Sequence, residues 1–159
     1  MNTTPNSAFL REAIRLSIEK MGSNEGGPFG AVVVRNGEIV GSGWNQVTST
    51  HDPTAHAEVI AIRDACSRLK TFSLSGCEIY SSCEPCPLCL AAIYWSRLDG
   101  IYYAATCDDA ATAGFDDRQF YEEIKKPAGE RSIPIQQFLR EEALVALQAW
   151  VKKVDRIRY

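Results

Sequence analysis

The most informative segment of the sequence is residues 82–89, which read Ser82-Cys83-Glu84-Pro85-Cys86-Pro87-Leu88-Cys89. Pro87 suits the first turn of a helix, where its missing N–H would lack an intrahelical partner anyway. Cys86 and Cys89 are then about one helical turn apart, so both thiolates can face one point. The stretch therefore predicts the start of a helix that carries two metal-ligating sulfurs.

A second stretch upstream supplies the groups that the cysteines lack, and it reads Asp52-Pro53-Thr54-Ala55-His56-Ala57-Glu58. His56 offers an imidazole ligand, and Glu58 offers a carboxylate that can stay off the metal. On an ideal helix these two side chains would point about 200° apart, so both can serve one site only from the helix N-terminus. We expect two helix N-termini to converge on a Zn²⁺ ion held by His56, Cys86 and Cys89. Three protein ligands leave a fourth tetrahedral position for water, which is typical of catalytic zinc.

Other interpretations of these residues compete with an open zinc site. His56 could be a core histidine, and Glu58 could simply complement the helix dipole. A closed structural site would add Cys83 as a fourth ligand, although Cys83 precedes Cys86 by about 10 Å of extended chain. We favour the open site because Glu58 beside a zinc-bound water could move its protons. The other cysteines are expected to be buried small apolar residues: Cys66, Cys77 and Cys107.

The composition fits one globular domain in a reducing compartment. The chain has 159 residues, 45% of them hydrophobic, which is enough for a sizeable core. Its net charge of −3 gives no overall electrostatic footprint for nucleic acid. We find no apolar signal-peptide core and no run as long as a membrane span. Cysteines concentrated at Cys83 to Cys89 fit metal chemistry better than a secreted disulfide framework, so we expect a cytoplasmic location.

Periodicity and turn signals predict an α/β fold. Helices are expected at residues 7–21, 55–69, 87–95 and 110–113 and around Leu144–Val154, with Thr54 capping the second and Asp108 or Asp109 the fourth. Strands are expected at residues 31–34, 38–40, 76–81, 100–104 and 133–138. The first two form a hairpin at Asn36-Gly37, Gly41-Ser42-Gly43 ends the second, and residues 114–134 look irregular. The alternation predicts one three-layer α/β/α domain, residues 1–159, around a mixed five-stranded sheet.

Several segments together resemble the cytidine deaminase superfamily, and within it the bacterial guanine deaminases. His-x-Glu followed by Pro-Cys-x-x-Cys is a signature of zinc nucleobase deaminases. The other segments that carry the resemblance, which covers nearly the whole chain, are Gly27-Pro28-Phe29-Gly30-Ala31, Asn45, Ala92-Ile93-Tyr94-Trp95 and Ala113-Gly114-Phe115-Asp116-Asp117.

This resemblance implies hydrolytic deamination of guanine to xanthine and ammonia at the Zn²⁺ site, with Glu58 as the proton shuttle. It implies that Asn45 contacts the purine edge and that Asp117 is a second polar contact. Phe29 and Trp95 would pack near the base, although either residue type is more often plain core. The backbone N–H of Ala57 would suit an oxyanion or a substrate carbonyl.

The resemblance also implies a homodimer in which C-terminal segments, about residues 139–159, are exchanged between subunits. Tyr159 would then close a neighbouring active site, although it could equally be part of a frayed terminus.

Other functions share the same motifs. A tRNA adenosine deaminase, or a cytosine or pterin deaminase, would carry the same zinc-site residues. The Ala113–Asp117 segment and the lack of a broad basic surface favour a free purine base, while one basic cluster keeps an RNA role open: Lys152, Lys153, Arg156 and Arg158. A zinc-stabilised binding protein without enzymatic activity is the remaining alternative, and the presence of Glu58 argues against it.

Overall fold

The computed structural model describes residues 5–158, which divide into two compact units after Asp117. The elements of the first unit are α1 Ser7–Gly22, β1 Gly30–Arg35, β2 Glu38–Trp44, α2 Val47–Thr50, α3 Ala57–Leu69, β3 Cys77–Cys83, α4 Pro87–Trp95, β4 Gly100–Ala105 and α5 Cys107–Thr112. The second unit contains α6 Arg118–Lys125, a 3₁₀ turn at Ala128–Glu130 and α7 Arg140–Lys152. Within residues 5–158, no helix is long and apolar enough to cross a bilayer.

The sheet has four strands in the order β2-β1-β3-β4, with β1 antiparallel to both neighbours and β3 parallel to β4. The α/β fold with a mixed sheet is therefore confirmed, but the expected five strands are wrong. The residues expected to form the fifth, 133–138, form no strand, and Ile133 and Phe138 are exposed. Pro134 among them lacks the N–H that a ladder would need.

Helices cover both faces of this sheet, as the layered prediction requires. On one face, Leu16 of α1 packs with Val32, Val34 and Tyr80. On the other face, α3 packs on the strand residues Ala31, Val33 and Ile79. The α3 residues of this core are Ala57, Ala61, Ile62 and Ala65. Successive strand residues point to opposite faces, so one sheet supports α1 and α3 together.

The first hairpin forms at Asn36-Gly37, and both residues have positive φ, 52° and 81°, as a tight hairpin turn requires. The expectation that Gly41-Ser42-Gly43 ends β2 is wrong, because the strand continues to Trp44. A Cβ on Gly41 would lie 2.6 Å from the carbonyl oxygen of Ala61, and one on Gly43 would lie 2.3 Å from that of Ala57. These glycines therefore permit the strand to lie directly against α3.

Two expected helix caps are also wrong. Helix α3 begins after His56 rather than Thr54, because the Thr54 hydroxyl instead donates to Asp52 at 2.6 Å within the preceding turn. Helix α5 is capped by Thr106 in a reciprocal capping box with Asp109. In α3 a local side-chain bond occupies the expected capping hydroxyl, and in α5 a polar residue just upstream takes the cap.

The second unit contains helix where an irregular segment was expected. Residues 118–125 form α6, in which Phe120 and Ile124 are four residues apart and share one side of the helix. Helix α7 spans the predicted last amphipathic segment. Neither helix buries a residue within the single chain.

Candidate active site

Two helix starts supply the groups of the candidate site. His56 is the N-cap of α3 and Cys86 is the N-cap of α4, and both have extended backbone conformations. Pro87 occupies the first turn of α4, and Cys89 follows in that turn and is buried. The structure thus brings together the three residues expected as ligands, in the arrangement that the motif spacing predicts.

The donor atoms of these residues fit a tetrahedral zinc ion. They lie within 4.8 Å of one another, and Nδ1 of His56 is 3.5 Å from Sγ of Cys86 and 3.4 Å from Sγ of Cys89. Usual zinc–nitrogen and zinc–sulfur bond lengths at a tetrahedral angle place N and S about 3.6 Å apart. One imidazole and two thiols are also a donor set that zinc takes in catalytic sites.

The three groups strongly affect one another's protonation. A hydrogen bond from the Cys89 thiol lowers the pKa of Cys86 to about 4, and the same bond raises the pKa of Cys89. The hydrogen bond to Cys86 raises the pKa of His56. One sulfur is therefore held as a thiolate, the form that binds a metal, and a cation displaces the remaining protons.

Glu58 lies directly beside this cluster. It is only 6% exposed, and burial raises the pKa of its carboxyl. One carboxyl oxygen accepts from the Cys89 thiol at 3.2 Å, and the other accepts from the Ser81 hydroxyl at 3.0 Å. The carboxylate is thus held at a fixed position within reach of whatever the cluster binds.

Ser81 is a contact that sequence analysis missed. It is a buried residue on the same face of β3 as Cys77 and Ile79, which belong to the core under α3. A hydroxyl on an otherwise apolar strand face was the available signal, since buried polar groups need a partner.

Cys83 lies apart from the cluster among the described residues. Its thiol donates to the Thr106 carbonyl at 3.5 Å, and burial raises its pKa to about 11. A neutral thiol bonded to a backbone carbonyl is poorly suited to bind a metal. The geometry thus favours the three-residue donor set over a closed set that includes Cys83.

Asn45 is held in one orientation by the backbone around it. Its side-chain oxygen accepts from the N–H groups of Gly27 and Val47, both at 3.2 Å. The amide lies against Gly27, where a Cβ would be 3.3 Å from it. Because the side-chain oxygen already accepts two hydrogen bonds, the NH₂ group is the part of Asn45 that can bind a ligand.

The Ala113–Asp117 segment contributes an aromatic ring and a carboxylate with one buried oxygen. Phe115 meets Phe29 edge to face, with ring centroids 4.9 Å apart. One carboxyl oxygen of Asp117 is buried, with no hydrogen-bond partner among the described residues. Burial raises the pKa of this carboxyl, and the nearby Cys86 thiolate raises it further. Asp117 therefore lies close to the cysteine pair with an acceptor to spare.

The structure does not bring Trp95 to the cluster within one chain. Trp95 ends α4, about 13 Å along the helix axis from Cys86, and it is 65% exposed. It lines an open surface groove of about 540 Å³ that also includes Phe72 and Cys66.

Ala57 is in the first turn of α3, where no side chain caps the helix. Tyr159 lies outside the described residues.

A fold with helix starts that gather an imidazole, two thiols and a buried carboxylate defines the zinc-dependent nucleobase deaminase class. Residues 3–105 match the family model for the cytidine and deoxycytidylate deaminase zinc-binding region. The chain belongs to this deaminase family, as its sequence motifs predicted.

Individual relatives extend the similarity beyond the motifs. Guanine deaminase of Bacillus subtilis is 51% identical over 151 residues, which cover 95% of this chain and 97% of that protein. The X-ray structure of B. subtilis guanine deaminase matches with a TM-score of 0.94 and 49% identity, covering 98% of this chain and 99% of that one. The tRNA-specific adenosine deaminase of Aquifex aeolicus is 42% identical over 97 residues, which are 61% of this chain and 64% of that protein.

Proposed function

We propose that this chain catalyses the hydrolytic deamination of guanine to xanthine and ammonia. The observation that carries the proposal is the His56, Cys86 and Cys89 cluster with Glu58 in direct contact. Similarity to a guanine deaminase over 95% of the chain supports the choice of base, because it includes the segments on both sides of the motifs.

His56, Cys86 and Cys89 would hold a zinc ion, which when bound lowers the pKa of a coordinated water towards about 7. Glu58 takes a proton from the attacking water and passes it to the ring nitrogen beside carbon 2. It then transfers the water's second proton to the amine, which leaves as ammonia while carbon 2 keeps the oxygen. The hydrogen bond from Ser81 holds Glu58 in place during these transfers.

The groups around the base support a purine with a polar edge. Asn45 would donate from its NH₂ group to an acceptor on the base, and Asp117 would accept from an N–H or the departing amine. The backbone N–H of Ala57 would meet a substrate oxygen. Phe29 and Phe115 would cover part of the ring. Buried hydrogen-bonding groups left unpaired by the wrong base give strong discrimination.

Ammonia release measured side by side on several substrates tests this proposal. The panel is guanine, adenine, cytosine, guanosine and a tRNA anticodon stem-loop, at equal zinc content. We expect guanine to be converted much faster than the others. Preference for the stem-loop would favour the tRNA adenosine deaminase alternative, and preference for cytosine would mean that the base contacts are misassigned.

We further propose that the chain works as a homodimer. Helix α4 has no charged residue, yet Leu88, Tyr94 and Trp95 on its outer side are exposed. Many apolar side chains of the second unit are exposed as well: Phe120, Ile124, Ile133, Ile135, Phe138, Leu139, Val145, Leu147, Trp150, Val151, Val154 and Ile157. Apolar surface on this scale marks an interface, and a second copy of the chain is the occupant that we assign to it.

Exchange of C-terminal segments, with Tyr159 closing the neighbouring site, is the finer form of this proposal. Residues 118–158 form a compact unit of their own, so the exchanged part would begin near residue 118 rather than 139. A mixture of full-length Glu58→Gln chains and chains lacking residues 118–159 tests the exchange. Each partner supplies what the other lacks, so we expect mixed dimers to regain activity. Mixtures as inactive as their components would contradict the exchange, and a monomeric parent by light scattering would contradict the dimer.

A further inference from the structure

Glu84 precedes Cys86 by two residues and is bonded to the start of α5, and the proposed mechanism gives it no role. Its side-chain oxygen accepts a hydrogen bond from the backbone N–H of Cys107 at 3.1 Å. Its own N–H donates to the Ala105 carbonyl at 2.8 Å. Strands β3 and β4 end side by side here, with Cys83 paired to Ala105. Glu84 therefore ties the loop after β3 to the loop after β4.

The side-chain bond fixes the start of α5 from outside the helix. The first N–H groups of a helix have no intrahelical acceptor. The Thr106 hydroxyl accepts from the N–H of Asp109 at 3.2 Å, and the Asp109 carboxylate accepts from the N–H of Thr106 at 2.8 Å. That reciprocal pair stabilises the helix but attaches it to nothing else. Glu84 attaches it to the cysteine loop through Cys107, beside the weaker bond from the Cys83 thiol to the Thr106 carbonyl.

From this anchored start, a short hydrogen-bonded segment leads to the base contacts. The N–H of Phe115 donates to the Ala110 carbonyl at 2.9 Å, which closes the end of α5. Phe115 then packs edge to face on Phe29, and Asp117 follows with its buried, unpartnered oxygen. A shift at the start of α5 would therefore be passed on to Phe115 and Asp117.

We propose that Glu84 is a positioning residue for recognition of the base, a role that rests on the proposed function. Through Cys107 and α5 it sets the location of Phe115 and Asp117 relative to the cysteine pair. None of the hydrogen bonds described for Glu84 reaches the atoms of His56, Cys86 or Cys89 that would hold zinc. Its loss should therefore weaken substrate binding and leave the metal site intact.

The test compares Glu84→Ala with Glu84→Gln. The amide oxygen of Gln can still accept from Cys107, so we expect KM for guanine within about twofold of the parent, whereas Ala removes a part-buried hydrogen bond and should raise KM about tenfold. For Ala we expect kcat to fall less than about threefold and zinc to stay at one per chain, because Glu58 and the ligands are untouched. Glu38→Ala, on the exposed start of β2, is the control for removal of a surface carboxylate.

Two further measurements separate positioning from a general loss of stability. Amide hydrogen exchange should become faster at residues 107–117 in Glu84→Ala and stay at the parent's rate in α3 and α4. In an Asp117→Ala background, adding Glu84→Ala should change KM by less than about twofold, because residues that act through one another are not additive.

The outcomes are distinguishable. If the parent is active and Glu84→Ala has the parent's KM, this inference alone is overturned. Loss of zinc from Glu84→Ala, or faster hydrogen exchange throughout its first unit, overturns it as well. Failure of Glu84→Gln to rescue, or fully multiplicative effects with Asp117→Ala, overturns the route through Cys107 and α5. A parent with no guanine turnover overturns the proposed function and this inference with it.

Discussion

The candidate site has two halves that are built differently. The metal half, defined as His56, Glu58, Cys86 and Cys89, lies at the starts of two helices that pack on the sheet. The base half, defined as Phe29, Asn45, Phe115 and Asp117, lies on connecting segments. Glu58 and Cys89 are buried, whereas Phe115 is exposed.

This difference separates reactivity from selectivity. A metal and a proton shuttle need fixed distances, which helix ends on a rigid sheet provide. Base contacts on loops can change without disturbing the core. The high similarity to both a guanine deaminase and a tRNA-specific adenosine deaminase is consistent with a common metal half. Changes in the metal half should abolish activity, and changes in the base half should alter substrate binding.

The largest effect is expected from Cys86→Ser, which removes a sulfur ligand from the metal half. Loss of even an outer partner of a metal ligand costs about 10–100-fold, so we expect activity to fall by more than about 100-fold. Zinc should drop well below one per chain, and Tm should fall because the metal joins α3 to α4. Metal analysis, ammonia release and thermal melting check these effects, with Cys66→Ser as the matched control. A Cys86→Ser protein with full zinc and activity would remove Cys86 from the ligand set.

Glu58→Gln should remove the proton transfers of the reaction while leaving the metal half intact. The amide has nearly the shape of the carboxylate but cannot carry the protons, and general acid–base catalysis contributes about 10²–10⁴-fold. We expect a loss of kcat in that range with zinc retained. Turnover within about threefold of the parent would show that another group transfers the protons.

Asn45→Asp is designed to remove one donor from the base half. Aspartate keeps an oxygen for the N–H groups of Gly27 and Val47, so the loop should hold its shape. Loss of the NH₂ donor should lower kcat/KM for guanine by about 10–100-fold, mainly through KM, with zinc unchanged. If steady-state kinetics show a loss in kcat alone, Asn45 does not act by binding the base.

Phe115→Leu should have the smallest effect. The edge-to-face contact with Phe29 is worth about 1 kcal/mol, so we expect KM to rise about fivefold and kcat to change less than about twofold. A kinetic comparison with Phe115→Tyr, which keeps the ring, separates stacking from packing volume. Equal KM values for Leu and Tyr would argue against a role for the ring.

The sequence predicted that His56, Cys86 and Cys89 would come together, because the signals for it are local. Pro87 and the spacing of Cys86 and Cys89 indicated the start of α4, and the helix spans the expected residues. The geometric argument that His56 and Glu58 must lie at a helix start agrees with α3, although the cap residue was misassigned. Asn36-Gly37 similarly predicted the first hairpin, because few turns other than a tight hairpin favour that pair.

Other features depend on contacts between distant residues. The continuation of β2 through Gly41 and Gly43 depends on the close approach of α3, which glycine spacing alone does not show. The hydrogen bond between Ser81 and Glu58 joins residues 23 positions apart. Residues 133–138 have only a weak local preference for a strand, and Pro134 among them lacks the N–H that a ladder would need.

The most direct test of zinc-dependent guanine deamination is a titration of metal-free protein with zinc while ammonia release from guanine is followed. Because one cluster of three donors serves one ion, we expect activity to rise in proportion to added zinc and to level off at one zinc per chain. Activity that is independent of zinc, or guanine left unchanged by fully loaded protein, would contradict the account.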